Sequence, residues 1–157
     1  MSLKVKLEKL KASQTGNQID WQQRKKEWIQ KVNDVLNQTK SWFSAYAQDG
    51  LIKPIETQKT ISEEFLGDYQ ATQLEYEFGT NRLVFEPMGR NIVGGKGRID
   101  VYLRGRKIDK YILVLLETTG GEEKWFLSPF EDKSRRTEFT KESLEQLVEG
   151  WIENISI

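Results

Sequence analysis

The 157-residue chain contains neither cysteine nor histidine. Without cysteine there are no disulfides, no thiolate zinc sites and no cysteine nucleophile. Without histidine there is no Ser-His-Asp triad, no imidazole metal ligand and no side chain that titrates near neutrality unaided. Catalysis would fall to carboxylates, Lys, Arg, Tyr or Ser, with a hard ion such as magnesium. An enzyme is therefore the less expected reading, and neither a cofactor nor a metal is expected.

No apolar run approaches the roughly 20 residues that span a bilayer. The lysine-rich start MSLKVKLEKLKAS lacks the unbroken apolar core of a secretory signal, so a cytoplasmic location is expected. Basic and acidic residues balance at 24 each, and no global field draws the chain to nucleic acid or membrane. The expected partner is another protein, with nucleic acid the weaker alternative and no membrane. No pattern in the chain sets an oligomeric state.

What is present suffices for one core: 37% hydrophobic residues and five tryptophans. The length fits a single domain over 1–157, with 1–18 a candidate flexible arm. Residues 110–119, KYILVLLETT, hold six consecutive apolar positions before Gly120 and Gly121. A run that short, rich in Ile, Val and Leu, reads as a central strand covered on both faces.

Helical patterns at the two ends supply the covers. Asp20 is placed as an N-cap with Gln23 in capping-box spacing. Trp28, Ile29, Val32, Val35, Leu36, Trp42 (or Phe43) and Tyr46 then recur at intervals of three and four, which predicts a helix of about 27 residues ending near Gly50. Gln22, Arg24, Lys26, Lys31 and Asn33 fall on its solvated side. Thr140 caps a C-terminal helix with the stripe Leu144, Leu147, Val148, Trp151, Ile152 and Ile155. Gly150 within it suggests close approach to a neighbour. Residues 3–11 form a short amphipathic stretch with Leu3, Leu7 and Leu10, broken over 13–17.

Between the helices the period is two. Thr72, Leu74, Tyr76 and Phe78 share a face, Gly79-Thr80-Asn81 turns the chain into Leu83, Val84 and Phe85, and RIDVYLR over 98–104 alternates in the same way. Trp125 to Leu127 continue the sheet after the Gly-Gly turn. Pro54 confines any strand in 51–61 to an edge, and SEEFLG over 62–67 reads as one helical turn. Short connections throughout imply an antiparallel meander. The expected fold is α+β: about five antiparallel strands, the long N-terminal helix on one face, the C-terminal helix beside it or on the other.

Three stretches are candidates for function. GRNIVGGKG over 89–97 departs from a phosphate loop: an extra glycine precedes Lys96, Gly97 replaces the hydroxyl residue, and a strand follows. It reads as a glycine-permitted bend. Asp100 and Glu117 resemble the carboxylate pair of PD-(D/E)XK magnesium nucleases, but Thr119 stands where that motif has lysine, so the resemblance implies at most a degenerate or inactive nuclease. A connecting turn centred on Lys107 places Asp100 opposite Val114, whereas one centred on 108–109 makes the carboxylates face each other. Third, 82–110 carry eight basic residues against three acidic, and 56–77 six acidic against one basic. Either the two stretches pair across the sheet, or the basic turns form a binding patch of Arg90, Lys96, Arg98, Arg104, Arg106 and Lys107.

The tryptophan helix over 20–43, the string P-x-G-x-x-I-x-G-x-x-G-R-I-D from Pro87 to Asp100 and the C-terminal tryptophan helix together resemble a family of small uncharacterised bacterial proteins. That resemblance implies no activity. The expected function is an accessory or protein-interaction domain without catalysis, contacting its partner through basic inter-strand turns.

Overall fold

A computed structural model describes residues 2–15, 20–90 and 96–155. The order is α1 (Leu3–Thr15), α2 (Trp21–Trp42), α3 (Ser44–Gln48), β1 (Lys53–Glu63), β2 (Gly67–Phe78), β3 (Asn81–Gly89), β4 (Arg98–Leu103), β5 (Tyr111–Glu117), β6 (Glu123–Pro129), β7 (Thr137–Glu138) and α4 (Lys141–Ile155). All seven strands lie in one antiparallel sheet in sequence order. The meander is as expected, but it has seven strands rather than about five. The two additions are its edges.

The pleat sorts the side chains into two layers. On one face Leu74, Phe85, Val101 and Tyr111 follow one another across the ladder, as do Pro87, Ile99, Leu113 and Leu127. This face meets α2 through Trp28, Val32, Val35 and Leu36, all at most 2% exposed. Each such aliphatic side chain contributes about 2 kcal/mol through burial. Asp20 accepts from the Gln23 backbone N–H at 2.9 Å, as its spacing predicts. The expected long helix breaks at Phe43, which caps α2 and opens α3.

Helix α4 packs beside α2 on this same face. Trp151 meets Tyr111 edge-on at 5.8 Å, Phe139 lies 5.2 Å from Trp42, and Tyr46 of α3 donates to Glu145. Thr140 caps α4, its Oγ1 accepting from the Ser143 N–H at 3.1 Å. Gly150 gives no close approach: nothing lies within 4 Å of where its Cβ would be. In the 62–67 stretch Ser62 and Glu63 end β1 and Gly67 opens β2, with a turn over 64–66 rather than a helix and Phe65 at φ 72°. Helix α1 runs through to Thr15, past the break expected at 13.

Among the described residues no helix covers the sheet's second face. Glu75, Val84 and Tyr102 form one row there, and Glu86, Asp100, Ile112 and Ser128 another. Most of these are nonetheless buried, under a layer of long charged side chains. The stretch over 111–116 is the expected strand, but its second cover is this polar layer.

Candidate functional site

An antiparallel meander sends alternate connections to opposite ends. The β1–β2, β3–β4 and β5–β6 connections share one end, and the β2–β3, β4–β5 and β6–β7 connections the other. The six basic residues nominated from sequence are divided by this. Arg90 and Lys96 flank the β3–β4 connection. Arg104, Arg106 and Lys107 occupy the β4–β5 turn at the far end, about 20 Å away along six residues of β4. They do not form one patch.

At the far end and on the helix-free face the cations are held. Arg104 reaches both oxygens of the buried Glu75 at 2.6 and 2.7 Å, and Arg82 joins at 3.0 Å. Burial pushes the Glu75 carboxyl up. The hydrogen bonds from Gln73 and Arg82 and the charge of Arg104 outweigh that, so it titrates below the ordinary range. Glu86 behaves alike: burial raises it, and Lys59, Tyr102 and Lys107 bring it below. Arg106 is 3.4 Å from Asp109, and Lys107 lies over the Tyr102 ring at 4.9 Å. Opposite charges from the two stretches thus pair across the sheet, one of the two arrangements their composition allowed.

Asp100 belongs to the same layer. It is 3% exposed, and Arg98 grips it bidentately at 2.7 and 3.1 Å with Lys110 at 3.0 Å. The β4–β5 register pairs Asp100 with Ile112, so the turn centres on Arg106 rather than on Lys107 or 108–109. Glu117 is five residues beyond Ile112, about 17 Å along the strand. One magnesium ion cannot touch both. Among the described residues no cluster of three or more carboxylates is placed to hold a metal.

The near end is different. A cleft of about 390 Å³ opens between the first half of α2 and the sheet, lined by Arg24, Glu27, Trp28, Lys31, Arg90, Lys96, Leu115 and Glu123. Its size is within the range of ligand-binding clefts. Two devices build it. The Trp28 ring lies directly against Gly97, which only a residue without a side chain permits. The Lys96 N–H donates to Leu115 O at 2.8 Å and the Leu115 N–H to Gly97 O at 3.0 Å, which extends the β4–β5 ladder and fixes Lys96 at the wall.

Electrostatically the cleft is strained. Burial lowers the Arg90 guanidinium's affinity for its proton, and the neighbouring charge of Arg24 lowers it further; Glu8, Glu63 and Glu123 act the other way. The Arg90 backbone N–H is anchored on Glu63 at 3.1 and 3.2 Å, and Tyr69 donates to the same carboxylate. Burial first, then that hydrogen bond, raises the Tyr69 phenol strongly. The ion pairs of Lys31 and Lys96 are long, 3.6 Å for Lys31–Glu123, 3.4 Å for Lys96–Glu123 and 3.6 Å for Lys96–Glu117, whereas Arg24 bonds Glu8 at 3.2 Å. The Trp28 indole N–H is buried without a hydrogen-bond partner among the described residues.

No protein-family model, curated protein or solved structure matches this chain. The bend over 89–97 that borders it lies outside the described residues at 91–95. Of the cleft's charged residues, Arg90 and Lys96 were visible in the sequence as candidates, whereas Arg24 and Lys31 fell on a side of the helix read as solvated. The signal for them was present: Arg24, Glu27 and Lys31 recur at three and four, one edge of the helix next to Trp28.

Proposed function

We propose that the chain is a cytoplasmic binding domain without catalysis, and that it engages an acidic group of a protein partner through the cleft at the near end of the sheet. One observation carries this reading. Arg24, Lys31, Arg90 and Lys96 line one cavity, and Lys31 and Lys96 meet the carboxylates of Glu123 and Glu117 only at 3.4–3.6 Å. On the helix-free face Arg82, Arg98 and Arg104 are closed onto the buried Glu75 and Asp100 carboxylates at 2.6–3.1 Å. An incoming carboxylate or phosphate competes easily with long, water-accessible pairs, and not with short buried ones. It would also relieve the repulsion between Arg24 and Arg90. Of the two basic inter-strand connections, the β3–β4 one is thus the better contact.

The test is capture from a native cell extract with wild type, Arg90→Glu with Lys96→Glu, and Arg104→Glu with Arg106→Glu, with bound nucleic acid assayed in parallel. The partner is expected to be lost with the first pair and kept with the second. Loss with the second pair alone would return the contact to the β4–β5 turn. Retention with both would remove basic connections from consideration.

A further inference from the structure

Helix α1 presents two unlike faces. Val5 is buried at 7% exposure, Glu8 bonds Arg24 at 3.2 Å, and Lys9 sits over the Phe65 ring at 4.0 Å, so this side seats the helix on the domain. On the opposite side Leu3, Leu7 and Leu10, spaced by four and three, are 69%, 54% and 53% exposed. Lys4, Lys6 and Lys11 flank that stripe, and α1's only acid, Glu8, is turned away from it. Three leucines in one exposed row are a site for something apolar.

We propose that α1 docks the domain on an anionic lipid surface, with the leucines entering the headgroup boundary and the flanking lysines meeting lipid phosphates. Charge argues against a second copy of the chain. With the leucines as a coiled-coil seam, Lys4, Lys6 and Lys11 take the positions that face the partner helix, and both orientations set lysine against lysine. Length argues against a foreign coiled coil, since the stripe covers two turns where three or four heptads are needed. A lipid surface requires neither register nor enclosure, and it rewards leucine and lysine together. No helix among the described residues is long and apolar enough to cross a bilayer, so α1 lies on the surface. Zero net charge does not oppose this, because the surface field acts only within about 10 Å.

The experiment is co-sedimentation of the full chain with vesicles of phosphatidylcholine and phosphatidylglycerol in equal parts, against phosphatidylcholine alone. Binding to the anionic vesicles is expected, reduced by raised salt, with at least a tenfold loss for Leu3→Ser/Leu7→Ser/Leu10→Ser and a similar loss for Lys4→Glu with Lys6→Glu. Both variants should melt like wild type, since the substituted side chains are exposed. Arg90→Glu with Lys96→Glu should still sediment. Failure to sediment at millimolar lipid overturns the proposal, as does binding unchanged by the leucine substitutions. Leucine-dependent dimers in light scattering without lipid would assign the stripe to a second copy, and loss with the cleft variant would assign lipid binding to the cleft.

Discussion

Gly97 lies flat against Trp28: a Cβ built on it would stand 2.1 Å from Trp28 Cζ3. Trp28 is 2% exposed and wedged 6.0 Å from Trp125, so the ring has nowhere to retreat. Gly97→Ala is expected to cost about 2–3 kcal/mol by overpacking, read as a lowered urea midpoint at unchanged slope. A midpoint within experimental error of wild type would mean that the ring is not confined there. Because the same contact shapes the cleft wall, partner capture should weaken in any folded fraction.

Asp100 gives a second test. Asp100→Ala leaves Arg98 and Lys110 without their carboxylate on a face where both side chains are less than a quarter exposed. The expected loss is about 3 kcal/mol. Glu117→Ala, at an exposed position, should change stability by less than about 0.5 kcal/mol. Thermal melts of the two variants check this asymmetry, and equal effects would contradict the separate roles assigned to the two carboxylates.

Acid should act through the helix-free face. Glu75 and Glu86 titrate below their ordinary value in the fold. The stability they confer is present above the unfolded-state pKa of about 4.5 and is lost as pH falls through the folded-state value. Glu75→Gln should therefore be less stable than wild type at pH 7, with the gap narrowing below about pH 4.5. Melting curves from pH 7 to 3 measure it. A gap independent of pH would show that Glu75 matters by shape and hydrogen bonding alone.

Gly150 offers a gain. It sits in the middle of α4 with nothing within 4 Å of an added Cβ. Gly150→Ala should stabilise the domain by about 0.5–1 kcal/mol through helix propensity, seen as a higher melting temperature. A loss would point to a contact on that side of α4.

The parts of the fold that could be read from sequence are those where burial writes a period. The α2 stripe, the Asp20 and Thr140 caps and the inward row through Leu74, Phe85, Val101 and Tyr111 all announce themselves. The two strands missing from the expected count are edges: along β1 only Ile61 is buried, and β7 is two residues long. The first alternates only loosely, and the second is too short to alternate. The β4–β5 register was out of reach for another reason. Gly105, at φ 86°, and a 3-10 turn over Lys107–Asp109 take up residues that a simpler turn would leave in the strands. That shift decides whether Asp100 and Glu117 meet. Ion pairing across the sheet was legible as one of two arrangements, but local charge counts do not reveal that β2 lies within reach of the Arg82 and Arg104 side chains.

The order of strands in space repeats their order in the chain. Each hairpin can close on the one made before it, so most of the loops closed during folding are short ones. A chain emerging from the ribosome can lay down its sheet as it is made. One seam has to wait for the last residues: Trp151 reaching Tyr111, and Tyr46 reaching Glu145 from 99 positions away. Tyr111 at the start of β5 lacks its aromatic neighbour until α4 arrives, which makes the closing helix the element on which a nascent or truncated chain depends.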